Sequence, residues 1–599
     1  MSADAARAGL DARVETARDR LLDRLLAERA PAGHWEGRLS SSALSTAVAV
    51  AALALVDETA HAAAIREGIA WIAGHANADG GWGDTADSPS NLSTTLLAAA
   101  ALHRAGTSAA AADARRRAMG WVGRAAGGTD PAAVSAAIAR AYGDDRTFAV
   151  PILAFCAAAG LWDDDAWRHV PPLPFELAAL PHAWFRHLRL PVVSYAIPAL
   201  VAIGLLRHRR RPLRPRLLAA LRERAAAPAL RVLRSMQPPD GGFLEAPPLT
   251  GFVTVGLTAA GLRDHPVVAD AVRFLLASRR GDGSWPIDTD LATWLSTRAI
   301  DALAAGGLLD RALAPADRAG LLDWLLAQQT RVEHPFTQAA PGGWGWTDRA
   351  GAVPDADDTA GALVALDALA PDDPDALAGA AAGARWLLGL QNRDGGIPTF
   401  CRGWSRMPFD RSCPDLTAHA LRAWAAWRPR LDDALRRRID RATARARAYL
   451  VDAQDADGFW TPLWFGNQSA PGTSNPVYGT AQTLLAAPPN DLATEVPLRA
   501  AVRRAANALL EARGADGGWG GAPGVAPTVE ETALALRALL PHTPREDLAP
   551  SARFLCDRVP VDGLPAPAPI GLYFAKLWYS ERLYPVVWPL AALGAWRRA

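Results

Sequence analysis

Residues 78–84 read ADGGWGD, and residues 515–521 read ADGGWGG. Between them the phrase returns in altered form: PDGGF ending at Phe243, GDGSWPI around Trp285, PGGWGW at 341–346, RDGGIPTF around Ile397, and ADGFW ending at Trp460. From Asp240 onward the copies recur roughly every 40 to 60 residues, the signature of a repeat architecture. Before most copies runs an apolar stretch of helical period, such as AVRFLLASRR, GARWLLGLQN or AANALLEARG, and after most comes another, such as TALALRALL or LTAHALRAWAAW. Each unit therefore reads helix, glycine-rich turn with an aromatic, helix. The glycines allow the tight positive-φ turn, and the aromatic fills the gap between neighbouring helix ends. Strand signals are almost absent. Helical pairs stacked in series and closed on themselves predict an all-α chain built of α/α-barrels, with loops gathered at the barrel ends.

The chain has 599 residues, too many for one ordinary core, so two large domains are expected. With 63 basic and 62 acidic residues the net charge is +1, which points away from nucleic acid and other polyanionic partners. Its four cysteines, Cys156, Cys401, Cys413 and Cys556, include no C-x-x-C pair, and the opening MSADAARAGLDARVETARDR lacks an apolar signal core. Both features suit a reducing, cytosolic setting.

One stretch breaks the charge balance. Residues 353–360 read VPDADDTA, directly before the helix-forming GALVALDALA, and so crowd Asp355, Asp357 and Asp358 at a helix mouth. Aspartates favour an N-cap and complement the helix dipole, so a start signal alone accounts for such a cluster.

The wider sequence decides between capping and chemistry. The Gly-aromatic repeats resemble the QW repeats of the squalene-hopene cyclase and oxidosqualene cyclase family, and PDADDTA is similar to that family's D-x-D-D-T-A signature. The likeness runs through GHWEGRLSSSALSTA (33–47), WRHVPPLPFELAALP (167–181), PGGWGW, PDLTAHAL (414–421), DGFWTPLWFGN (457–467) with PVYGT after it, and YPVVWPLAALG (584–594), in family order. The resemblance implies two α/α-barrel domains: residues 1–30 with 290–599 bearing the acid, and 31–289 inserted after the N-terminal helix. The active cavity is expected between them.

It also implies class II terpene cyclisation, an isomerase-type reaction that begins by protonating an alkene. An alkene is a weak base, and carboxyls held close cannot all ionise, which keeps a proton on the cluster. By the family pattern Asp357 is the general acid, Asp355 and Asp358 support it, His419 backs it, and Asp415 orients that histidine. Taken alone, His419 reads as an ordinary helix histidine. The migrating cation needs aromatic faces, and Trp167, Trp294, Trp346, Phe400, Trp464 and Tyr584 match the family's cation-lining positions. A packed core aromatic is the alternative for each. At Trp346 the family usually has phenylalanine.

Squalene stands first as substrate, cyclised to a polycyclic triterpene without a cofactor. A prenyl diphosphate or meroterpenoid precursor is the alternative, with Mg2+ expected only for a diphosphate, and a non-catalytic lipid-binding paralogue is the other. Where hopene-forming members carry a water-holding glutamine, this chain has DGGFLEAPPLT, placing Glu245 or a proline there and suggesting a final deprotonation. Arg402, Arg406 and Arg411 of CRGWSRMPFDRSCPD could clamp a diphosphate, or form a solvated loop run. A zinc-dependent prenyltransferase reading would use Cys413, Asp415 and His419, but it leaves the aspartate cluster unexplained.

Residues 192–206, VVSYAIPALVAIGLL, are apolar but shorter than a span, and RHRRRPLRPR follows. With the neighbouring PHAWFRHLRLP, segment 192–216 is expected to dip into one leaflet, giving a monotopic protein on the cytoplasmic face of the membrane. A buried helix followed by an exposed basic turn is the alternative. Family habit adds a possible homodimer.

Overall fold

The structure is a computed structural model, and it describes residues 3–143, 146–190, 194–335, 337–398, 408–486, 496–572 and 576–599. Among these residues the strands are two or three residues long, and the ordered elements are otherwise helices.

The repeated phrase earns its place through hydrogen bonds. Each helix leaves its last carbonyls without partners, and the repeat tryptophan supplies one. The indole N–H donates to the carbonyl ten residues earlier at Trp82 (Ile72, 3.0 Å), Trp285 (Leu275, 2.6 Å), Trp460 (Leu450, 2.7 Å) and Trp519 (Leu509, 2.6 Å). Trp35 does the same to Leu25 at 2.7 Å, an early copy of the device that the glycine pattern hides. The main-chain N–H of the same residue donates to a threonine hydroxyl of a neighbouring helix, at Thr95, Thr46, Thr480 and Thr532 respectively. Glutamines just before the turns complete the joint. The amide of Gln391 donates to Gly395 O and Ala442 O, and that of Gln454 to Gly458 O and Ala501 O. Gly241 shows why the turn requires glycine: its φ is 96°, and a Cβ there would lie 2.1 Å from Asp270 O.

The helices close into two rings. In the first, Ala43–Asp57, Leu92–Ala105, Arg146–Ala158, Ile197–Arg210 and Pro247–Ala259 each pack on the next, and the last returns to the first. In the second, Ala292–Ala305, Ala356–Leu369, Pro414–Trp427, Pro476–Leu485, Val529–Leu539 and Tyr584–Arg598 do likewise. Outer helices such as Pro374–Leu390, Asp433–Ala453 and Val496–Glu511 pack behind the second ring, and the N-terminal Ala3–Ala27 lies against Tyr584–Arg598. This is an α/α-barrel fold. Two hydrophobic cores follow the rings. One runs from Ala43 to Trp285 and takes in Val353; the other joins Leu10 to Leu39 with Ile287 to Trp596. Where the chain passes between them it pairs with itself, Ser41 opposite Pro286 and Ser42 opposite Trp285.

Most of the apolar run at 192–206 is packed inside the protein from Ile197 onward. Beyond residues 191–193, which lie outside the described residues, it forms the first turns of helix Ile197–Arg210, whose apolar side chains are buried in the first core. Its basic tail is partly structural: Arg207 Nε donates to Val170 O at 2.6 Å, and Arg209 and Arg210 donate to the carbonyls of Ala260 and Ala259. A helix buried on most sides reads as apolar all round, which is why its sequence resembles a membrane segment. The exposed large apolar side chains nearby are instead Trp184 and Leu188 on helix His182–Leu188, and Leu217, Leu218 and Leu221 on helix Arg216–Met236. No described helix is long and apolar enough to cross a membrane.

Candidate active site

Three inner helices of the second ring assemble the acidic site. Asp355 is the N-cap of Ala356–Leu369: its Oδ1 accepts from the N–H groups of Asp357 and Asp358, both at 2.9 Å, and its own N–H donates to Trp344 O at 3.0 Å. Capping is thus real, and it serves to aim the cluster, because Asp355, Asp357 and Asp358 all line one cavity. Helix Pro414–Trp427 brings His419 alongside, with Nδ1 2.5 Å from Asp357 Oδ1. Helix Ala292–Ala305 brings Arg298, whose Nη2 lies 3.0 Å from His419 Nε2.

The three carboxyls differ in environment. Burial pushes Asp355 up to about 7, the Asp357 charge adding to it against hydrogen bonds from Asp358 and the backbone. Burial also raises Asp358 well above the carboxylate range, followed by the charge of Asp355 and the proton it donates there, with Arg298 opposing. Asp355 and Asp358 therefore share a proton between them, which leaves Asp357 as the member engaged by histidine. His419 is lowered from its ordinary value, first by burial and then by the Arg298 charge, against the pull of Asp357. A neutral imidazole follows. Behind it, Asp301 is bound by Arg422 and Arg537; burial works to raise that carboxyl, but the arginines hold it well below its usual range.

The cavity lies between the rings and measures about 300 Å³. Its wall is mainly apolar and aromatic, including Phe148, Tyr195, Phe252, Trp294, Trp346, Phe409, Trp464, Phe465, Tyr579 and Tyr584. Such a wall offers π faces to a cation and excludes the water that would trap it. Two charged-type groups interrupt it away from the aspartate triad. Asp288 is held by the indole of Trp346, and burial, then the neighbouring Glu245 and Asp290, raise it well above its usual range. Lys576 is the single exposed residue among the described lining residues.

Family models for the squalene-hopene cyclase N-terminal and C-terminal domains match residues 19–223 and 291–533. The chain belongs to this family of class II terpene cyclases. Among relatives, a terpene cyclase-glycosyl transferase fusion protein of Humicola fuscoatra is 28% identical over 86% of this chain and 44% of its own length. A copalyl diphosphate synthase of Streptomyces cyslabdanicus is 30% identical over 59% of this chain and 57% of its own. A squalene hopane cyclase of Aspergillus fumigatus is 25% identical over 81% and 75%. The chain thus spans less than two thirds of the first two. The solved structure of an ent-copalyl diphosphate synthase from Streptomyces platensis shares the fold, with a TM-score of 0.59 at 23% identity over 97% of this chain and 98% of that one. Enzymes of this class are isomerase-type cyclases that act by protonation and need no cofactor.

Within this class II cyclase, the residues singled out by sequence fall into three groups. Asp355, Asp357, Asp358, Trp294, Trp346, Trp464 and Tyr584 meet at the cavity, with His419 directly behind Asp357. Trp294 is not a bare π face: Arg298 sits 4.4 Å over its ring, and its N–H donates to Tyr584 Oη at 3.0 Å. Two assignments need correction. Asp415 does not orient His419; it accepts from Cys413 Sγ at 2.7 Å in the first turn of its helix, and the far nitrogen of His419 belongs to Arg298. Trp167 is 3% exposed within the first core and is absent from the cavity wall; its short helix Asp164–Arg168 packs on helix Arg146–Ala158. Phe400, Arg402 and Arg406 lie outside the described residues, and Arg411 is exposed.

Glu245 is buried away from the cavity wall. It accepts from Gly351 N–H at 2.8 Å, in a turn where Leu244 and Glu245 both have positive φ, and burial followed by Asp240 holds it up at about 9. It ties the first ring to the loop before the acidic motif. Among the described residues no group of three His, Cys, Asp or Glu is arranged to hold a metal ion. Sequence reasoning passed over Arg298, Asp288, Phe465 and Lys576. The last had a visible signal: it is the only lysine in the chain.

Proposed function

We propose that this class II cyclase acts on a linear isoprenoid carrying an anionic head group, a prenyl diphosphate of farnesyl or geranylgeranyl length. Asp357 is the general acid. With Oδ1 engaged by His419, the transferable proton sits on Oδ2; it passes to the terminal alkene, a C–H bond forms, and the positive charge moves to carbon and onward as rings close. The aromatic wall, Trp346 and Trp464 foremost, stabilises the moving charge at about 0.5 to 2 kcal/mol per face.

The observation that carries the head-group reading is Lys576. The sole lysine of 599 residues is the exposed lining residue of a mainly apolar cavity whose other charged-type groups are Asp288 and the aspartate triad, and an ammonium there suits a phosphate as a point charge and has nothing to bind in a hydrocarbon. The volume of about 300 Å³ is at the low end for ligand cavities, which favours a shorter chain. The copalyl diphosphate synthase and a drimenyl diphosphate synthase of Streptantibioticus cattleyicolor, 33% identical over 26% of this chain, lend support. Squalene is the second reading, favoured by the fungal squalene hopane cyclase, which matches more of the chain.

Incubation with squalene, farnesyl diphosphate and geranylgeranyl diphosphate, with mass spectrometry of the products, tests the choice. A cyclic product that retains diphosphate, with a KM raised about tenfold or more in Lys576→Gln and a requirement for Mg2+ seen on EDTA addition, supports the first reading. A cyclic hydrocarbon from squalene, insensitive to Lys576→Gln, supports the second. For delivery of such an amphiphile we propose contact with the cytoplasmic membrane surface through Trp184, Leu188, Leu217, Leu218 and Leu221, which are exposed, in place of the buried run at 197–206. Vesicle flotation of a variant with these five changed to serine checks it.

A further inference from the structure

We infer that Arg298 is a positioning residue that locks His419 in the one tautomer able to back the Asp357 acid. The inference rests on the reading of Asp357 as proton donor.

A guanidinium carries only donors. With Nη2 3.0 Å from His419 Nε2, that nitrogen must present its lone pair. The single ring proton of the neutral imidazole is then on Nδ1, facing Asp357 Oδ1 at 2.5 Å. Consequently Oδ1 accepts a hydrogen bond, and the acid's own proton is confined to Oδ2. When that proton leaves, the same N–H stays on the new carboxylate and stabilises it. The other tautomer would set N–H against N–H at Arg298 and turn a lone pair toward Asp357. The imidazole would then draw the proton backward, away from the alkene.

Three further features frame Arg298. Its guanidinium lies on the face of Trp294. One turn along the same helix, Asp301 gathers Arg422 and Arg537, and Arg422 follows His419 on its own helix. The third feature is a gap. A Cβ on Gly361, one turn into the acid-bearing helix, would stand 2.7 Å from Arg298 Nη2 and 3.0 Å from Thr297 Oγ1. The bare glycine is where the guanidinium passes to reach the histidine. This also explains a glycine inside a helix, where it otherwise costs about 1 kcal/mol relative to alanine.

The first test uses the wild-type protein with 15N-labelled histidine, the His419 signal being assigned by its loss in His419→Asn. The expected spectrum shows Nδ1 protonated and Nε2 bare; an Nε2–H tautomer or an imidazolium overturns the inference, whatever the substrate. The second test is kinetic. Arg298→Met is expected to lower kcat about 10- to 100-fold, as loss of a supporting hydrogen bond does elsewhere, with KM nearly unchanged and most of the loss restored in Arg298→Lys, which also only donates. Gly361→Ala should lower kcat in the same way while the protein stays as heat-stable as the wild type. If Arg298→Met and Gly361→Ala both turn over at the wild-type rate, Arg298 has no positioning role. Failure of the acid assignment itself would show separately, as turnover surviving in Asp357→Asn.

Discussion

His419 Nδ1 stands 2.5 Å from Asp357 Oδ1, while Asp358 donates its proton to Asp355. The triad is thus split into one carboxyl with a histidine behind it and a pair that shares one proton. Asp357→Asn keeps the shape and removes the acid, so kcat should fall by about 10³-fold, within the usual worth of a positioned acid. Product analysis by mass spectrometry alongside a melting curve checks this; a normal melt with wild-type turnover would sink the assignment.

Asp355 carries two duties that can be separated. Asp355→Asn keeps an N-cap oxygen on the N–H groups of Asp357 and Asp358, whereas Asp355→Ala loses it, at a cost near 1 kcal/mol. Both variants lose the proton-sharing partner of Asp358. Activity should therefore drop in both, with a lower melting temperature only in the alanine variant.

Stability should decline toward alkaline pH. Burial holds Asp355, Asp415 and Glu581 up at about 7, and burial with the Glu531 charge holds Glu530 at about 8. Between about pH 4 and these values the folded chain binds more protons than the unfolded one, so raising the pH favours unfolding. The stabilisation is complete in acid and is lost as pH passes through about 7 to 8. Melting temperatures measured near pH 5.5 and pH 8.5 should differ in that order.

The repeat turn is equally testable. Gly241→Ala forces a side chain into positive φ and against Asp270 O, and should cost at least about 1 to 3 kcal/mol in urea unfolding. An unchanged midpoint would contradict the turn geometry.

Two tryptophans that look alike in sequence should behave differently. Trp464→Ala removes a cavity face and should alter the product mixture or its rate. Trp167→Ala empties a core site and should cost about 3 to 5 kcal/mol while leaving the product pattern of the surviving enzyme unchanged. Melting curves and product chromatograms on the same preparations distinguish them.

The fold and the place of the aspartate cluster at a helix mouth were legible in the chain alone, because both depend on local rules. A glycine that must take positive φ, a tryptophan ten residues past the carbonyl it caps, and an aspartate at N-cap all leave fixed spacings in sequence. The partner of His419 leaves none. Asp415, one turn away on the same helix, was the natural candidate, yet its carboxyl turns to Cys413, and Arg298 arrives from a helix 121 positions earlier through the space left by Gly361. The burial of 197–206 and the exclusion of Trp167 from the cavity have the same origin. Hydropathy records how apolar a side chain is, but which neighbour covers it is set by how the two rings close and meet, and only the tertiary structure decides that.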